Sequence, residues 1–131
     1  MGQSALRVWQ QPGATLLIWF LVRDESRAAG WQSGLFTATG APKPARAAFA
    51  LPLAQISRHL TRTVLWGQVR PGSGRRPYAI QRVRNGRWVN VGGWRTGVGG
   101  TFRVTLNLAR GTRVRLRSSL VPWPSPAMAV T

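Results

Sequence analysis

Thr101-Phe-Arg-Val-Thr-Leu-Asn-Leu108 alternates strictly between apolar and polar residues: Phe102, Val104, Leu106 and Leu108 fall on one side, Arg103 and Thr105 on the other. After Ala109-Arg-Gly111 the pattern resumes in Thr112-Arg-Val-Arg-Leu-Arg117. There Val114 and Leu116 oppose Arg113, Arg115 and Arg117. A period of two marks a half-buried strand, because successive side chains leave opposite faces of a pleated chain. Upstream, Asn85-Gly86 separates two strand-like runs. Both central residues of a tight two-residue hairpin need positive φ, which Asn and Gly accept. Strands are expected near 62–70, 78–84, 87–95, 101–108 and 112–118. Short strands at this spacing predict a small antiparallel β-sandwich-like domain of about five strands, spanning residues 58–119. Residues 120–131 carry Pro122, Pro124 and Pro126 and read as a flexible tail.

Residues 1–57 obey a different pattern. Ser4 to Gln11 reads as the last turns of a helix, with Leu6 and Trp9 on one face and Pro12-Gly13 as the stop. Thr15-Leu-Leu-Ile-Trp-Phe-Leu-Val22 shows no alternation. A short, continuous apolar run bounded by turn and charge signals predicts a strand buried on both faces, as in parallel sheets covered by helices. Residues 23–43 read as a loop, and Lys43 to Leu51 as a helix with Pro44 at its first position and Pro52 at its end. Helix, buried strand, loop and helix form the unit of a βα-barrel. The fold class is thus an α+β fragment: the terminal strand and helix of a (β/α)8 barrel, followed by the β domain. Strand 15–22 needs parallel neighbours that this chain does not supply, so its apolar faces are expected to lie exposed.

Charge divides the chain in the same place. Lys and Arg total 19 against two acids, Asp24 and Glu25, for a net +17. Residues 58–131 hold fourteen Arg and no acid. Such a balance attracts polyanions, and nonspecific polyanion binding is expected. Ala14 to Val22 falls short of the ~20 residues of a membrane helix, so no membrane span is expected. Arg23, Asp24 and Glu25 stand where a signal peptide needs a small-residue cleavage site, so the run is not read as a signal peptide.

Three motifs taken together resemble one family. They are Trp19-Phe-Leu-Val-Arg-Asp-Glu25, then Gly30-Trp-Gln-Ser-Gly-Leu35, then Gly40-Ala-Pro-Lys-Pro-Ala45 with Phe49. They resemble the C-terminal edge of the barrel in secreted actinobacterial glycoside hydrolases of the cellulase-like retaining type. There a last strand ends in an aromatic-Leu-x-Arg-Asp stretch, a Gln-x-Gly-Leu motif follows, and a Gly-x-x-Lys-Pro-Ala-Tyr motif opens the last helix. Arg46 stands here where Tyr is usual. A small β domain then begins with a strand similar to Leu65-Trp-Gly-Gln-Val-Arg-Pro71. The resemblance implies a polysaccharide-active, extracellular parent protein whose acid/base and nucleophile lie on earlier barrel strands.

The residues themselves offer no catalytic pair. Glycoside hydrolysis needs two carboxyl groups on opposite sides of the scissile bond. Asp24 and Glu25 are sequence neighbours, and Asp24 beside Arg23 and Arg27 reads more simply as a structural ion pair or a cap at the strand end. His59 is the one histidine and there is no cysteine, so no metal site, nucleophilic triad or cofactor is expected. The chain alone is therefore expected to be catalytically silent, with an accessory β domain that packs on the barrel or contacts glycan. Its partners would be a polysaccharide or the missing barrel portion. The alternative is a small basic nucleic-acid-binding protein that uses the Arg-rich β domain.

Trp19 and Trp31 would sit at the mouth of a barrel, where indole faces stack on sugar rings, although packing of the loop explains Trp31 equally well. Trp88 and Trp94 share a parity on one strand, which reads either as an exposed sugar platform or, more simply, as core packing. Arg82 and Arg84, with Arg113, Arg115 and Arg117, would make a basic ladder if their strands are adjacent, or else a solvated sheet face.

Overall fold

The computed structural model describes residues 1–27, 29–71 and 74–131. Its elements are α1 (Gly2–Trp9), α2 (Pro44–Ala50), β1 (Leu53–His59), β2 (Arg62–Gln68), β3 (Pro77–Arg84), β4 (Arg87–Arg95), β5 (Thr101–Asn107), β6 (Arg113–Arg117) and β7 (Met128–Ala129). One sheet has the order β1-β2-β5, the other β4-β3-β6-β7. Every strand pair is antiparallel. In the constant-type immunoglobulin sandwich the fourth strand pairs with the fifth. Here β4 has crossed to the other sheet and pairs with β3.

Alternation decides what each strand buries. Leu65, Ile80, Val114 and Leu116 are fully enclosed between the sheets. Phe102 from one sheet stacks on Tyr78 from the other, with centroids 3.8 Å apart, and Tyr78 stacks in turn on Trp94 at 5.6 Å. Gly67 makes this contact possible, since a methyl group there would overlap the Phe102 ring. Asn85 and Gly86 have φ of 50° and 72°, the two positive values that the tight β3–β4 hairpin demands. On the outer side of the three-stranded sheet, Ala5 and Leu6 of α1 pack on Ala54 and Trp66, and Trp9 lies 5.7 Å from the Trp66 ring. That face is covered. The outer face of the four-stranded sheet is not packed by either helix.

The sandwich-like domain agrees with the alternation, but its limits differ from those expected. β1 starts at Leu53, before residue 58. Residues 120–131 are not a loose tail. Ser125 exchanges two hydrogen bonds with Leu116, Val130 and Gly111 extend the pairing past β7, and Val121, Ser125 and Val130 are buried. The prolines are tolerated because the segment lies along a sheet edge, where not every N–H is needed.

The expected doubly buried strand at 15–22 does not form. The segment carries no strand assignment, and no backbone N–H from Thr15 to Val22 donates to another backbone group among the described residues. Leu16, Ile18, Phe20 and Val22 are 71%, 76%, 59% and 67% exposed. The physical reason is the one foreseen: a strand of a parallel sheet needs neighbours for both its edges and its faces. The terminal strand of a barrel is therefore absent from this chain's fold.

The Gly67–Phe102 contact gives a stability test. Gly67→Ala is expected to cost about 1–3 kcal/mol through overpacking. Combined with Phe102→Leu, which frees the space, the total loss should be smaller than the sum of the two single losses. Urea unfolding of the three variants measures this; strict additivity would contradict the contact.

Candidate functional site

Two surfaces carry the candidate residues. The first is the loop between residues 20 and 43. Val22 accepts from the amides of Leu35 and Phe36, the Asp24 amide donates to Phe36, and the Lys43 amide donates to Leu35. Isolated bridges link Arg23 to Phe36 and Phe36 to Pro42. Asp24 is the hub. One carboxylate oxygen accepts from the Gly34 amide at 2.7 Å, and Lys43 Nζ approaches both oxygens at 3.0 and 2.9 Å. Nζ also donates to the Gln32 carbonyl at 2.7 Å. Gly34 is required, because a side chain there would collide with the Arg23–Asp24 backbone. The hydrogen bond from Lys43 holds the Asp24 carboxyl below its ordinary value, with the Gly34 amide adding to it and burial opposing. The carboxyl is shielded by the loop folded round it.

The ion pair expected for Asp24 exists, but its partner is Lys43 rather than Arg23 or Arg27. Sequence spacing favoured the near arginines. The loop brings in a lysine 19 residues away. Trp19 is partly buried, and its indole N–H donates to the Ser33 carbonyl at 2.9 Å, so its role is to hold the loop. Trp31 is 63% exposed and meets Phe20 edge to face at 5.7 Å. Asp24, Glu25, Gln32 and Thr37 line a shallow cleft in the same loop. Of the two loop tryptophans, Trp31 is thus the one that stays exposed, with Phe20 beside it. Arg46, at the position of the family tyrosine, stacks 3.6 Å over Trp123 and 5.0 Å over Phe36. It ties α2, the loop and the C-terminal segment together.

The second surface is the outer face of the four-stranded sheet. β3 and β6 are adjacent, yet the expected ladder of Arg82 and Arg84 with Arg113, Arg115 and Arg117 does not form. Arg82 is opposite the buried Val114, whereas Arg115 is opposite Gln81 and Arg117 opposite Ala79. Arg82 and Arg84 therefore share the side of the sheet that faces the core, at its hairpin end, and the three β6 arginines occupy the outer side. Trp88 and Trp94 do not share a face either. The β3–β4 register slips between Ile80 and Gln81, which leaves Val91 unmatched. One extra residue in a bulge reverses the parity beyond it. Trp94 consequently stacks on Tyr78 in the core, while Trp88 lies outside beneath the Arg115 guanidinium at 4.2 Å.

Among the described residues no group of His, Asp or Glu is placed to hold a metal ion, and no helix is long and apolar enough to cross a membrane. In comparisons with known proteins, no family model, curated protein or solved structure matches the chain.

The Asp24 clamp predicts a pH response. A carboxyl whose folded value lies below the ordinary 3.8 contributes to loop order fully above that value and loses it as pH falls through the lower one. The Gly34 amide resonance should stay constant down to about pH 4 and move only below. Lys43→Met should raise that midpoint. A native midpoint at or above the ordinary value, or one indifferent to Lys43→Met, would contradict the clamp.

Proposed function

We propose that this chain is the C-terminal, non-catalytic part of a secreted glycoside hydrolase-like protein. In this reading residues 15–22 complete a neighbouring barrel, and the β sandwich is an accessory module that packs on that barrel or contacts glycan. The observation that carries the reading is the segment with Leu16, Ile18, Phe20 and Val22 exposed, in which no backbone amide from Thr15 to Val22 donates to another backbone group among the described residues. Contiguous exposed apolar surface of this kind belongs at an interface. The motifs from Trp19 to Ala45, which resemble the end of a cellulase-like barrel, support the same assignment. Silence follows from the acids: Asp24 is consumed by Lys43 and Gly34, leaving Glu25 without a second carboxylate.

The nucleic-acid alternative draws on the same fourteen arginines of residues 58–131. It is the weaker reading because the aromatic residues of the sandwich strands are mostly in the core, away from the arginines.

Two measurements test the proposal. The purified chain should release no reducing sugar from β-glucans, xylan or mannan above the blank. It should also bind a hydrophobic dye and self-associate as concentration rises. Replacing Leu16, Ile18, Phe20 and Val22 by Ser or Thr should abolish both properties without changing the unfolding of the sandwich. Sugar release by the native chain, or a native chain that stays monomeric and binds no dye, would refute it.

A further inference from the structure

The four-stranded sheet has one face in the core and one turned outward. Strand alternation sets Arg113, Arg115 and Arg117 in a row along β6. Arg95 joins them from β4, opposite Pro77. Between Arg95 and Arg117 lie Ala79 and Gly93, which face each other across β3 and β4. Both are small, and a methyl group at Gly93 would meet nothing. A shallow floor results, with cations on two sides. At its end Arg115 Nε donates to Gln81 Oε1 at 2.8 Å, and Gln81 Nε2 donates to Asn90 Oδ1 at 2.9 Å. The two acids of the chain, Asp24 and Glu25, belong to the N-terminal loop, so no strand of this sheet carries one.

We infer that this face binds an anionic polysaccharide, one that carries carboxylates on its sugar rings. The inference rests on the glycan-module reading above and names the class of glycan. Gln81 and Trp88 hold the Arg115 guanidinium from its Nε edge and one flat side, which leaves its two terminal nitrogens as a fixed fork. A carboxylate matches that fork with two parallel hydrogen bonds. Gln81 and Asn90 provide the neutral donors and acceptors that ring hydroxyls need. Burial and the neighbouring Arg117 both disfavour the Arg115 cation, so a seated anion relieves a repulsion built into the free protein. The floor over Ala79 and Gly93 gives a pyranose ring room between the charges. A nucleic-acid strand fits less well. Stacking of successive bases needs a run of free aromatic faces, whereas Trp88 is the one aromatic that these strands place on this side, and Arg115 covers one of its faces.

The test titrates the full chain with polygalacturonate, with its methyl-esterified neutral form and with single-stranded DNA of equal charge, at about 0.15 M salt. Polygalacturonate should bind most tightly and the esterified polymer only weakly. Arg115→Gln with Arg117→Gln should weaken polygalacturonate binding at least about tenfold, the effect of losing charge-assisted hydrogen bonds. Arg103→Gln with Arg110→Gln removes equal charge from elsewhere and should change it less than about twofold. In the unmutated chain, the Gln81 and Asn90 side-chain amides and the Trp88 indole should shift on titration while the Trp66 indole stays still. Equal losses in both double variants, or a stationary Trp88, would overturn the assignment of the face. Tighter binding of DNA than of polygalacturonate would make it a nucleic-acid surface instead. Equal binding of acid and ester would sink the anionic preference yet leave the glycan module standing, and no binding to either glycan would sink glycan contact with it.

Discussion

The stack of Phe102 on Tyr78 on Trp94 is the contact on which the rest of the molecule depends. It bridges the two sheets and so decides which side of each strand is inside. With Tyr78 inward, Ile80 follows it into the core, and Ala79 and Gln81 turn outward. Pairing carries the choice to β6, where Val114 and Leu116 go in and Arg113, Arg115 and Arg117 go out. Aromatic rings of this size bring more buried area than any aliphatic neighbour and add a geometric preference of their own. Gly67 is the space that lets the stack form. A core of this kind in a small domain leaves little margin, which is why the edges matter. The segment around Ser125 and β7 covers the β6 edge, and α1 covers the outer side of the three-stranded sheet.

Much of this was legible in the sequence, for a definite reason. Alternation is a local property, so β2 to β6 stand within about two residues of where period two and the Asn85-Gly86 turn put them. What depends on pairing was not legible. The bulge at Val91 separates Trp88 from Trp94, and it exists only in the register between β3 and β4. The opposite facing of Arg82 and Arg115 is likewise a property of two strands together. The order of the C-terminal segment is hidden in its prolines, which signal looseness, while the Leu116 amide finds the Ser125 hydroxyl in place of a ladder bond. The pairing of Lys43 with Asp24 is not written in the sequence, since loop closure, not sequence distance, brings them together.

The N-terminal part presents the opposite situation. Its composition is that of a buried strand, yet Leu16, Ile18, Phe20 and Val22 lie exposed on a segment that forms no strand. Local pattern describes what such a segment is suited to, and tertiary neighbours decide whether it becomes that. The loop that follows is well tied by Asp24, Lys43 and Gly34, so the exposed segment leads into an ordered frame that presents Phe20 and Trp31. One half of the chain is thus a finished sandwich with an open cationic face. The other joins a docked helix and a tied loop through an exposed apolar segment.

Amide hydrogen exchange on the intact chain at low concentration tests that division most directly. A finished sandwich with an unpartnered edge predicts amides at Leu65, Ile80 and Leu116 that exchange only through global unfolding, and amides from Thr15 to Leu21 that exchange as in an unfolded peptide. Protection of residues 15–21 equal to that of the strands would contradict the account.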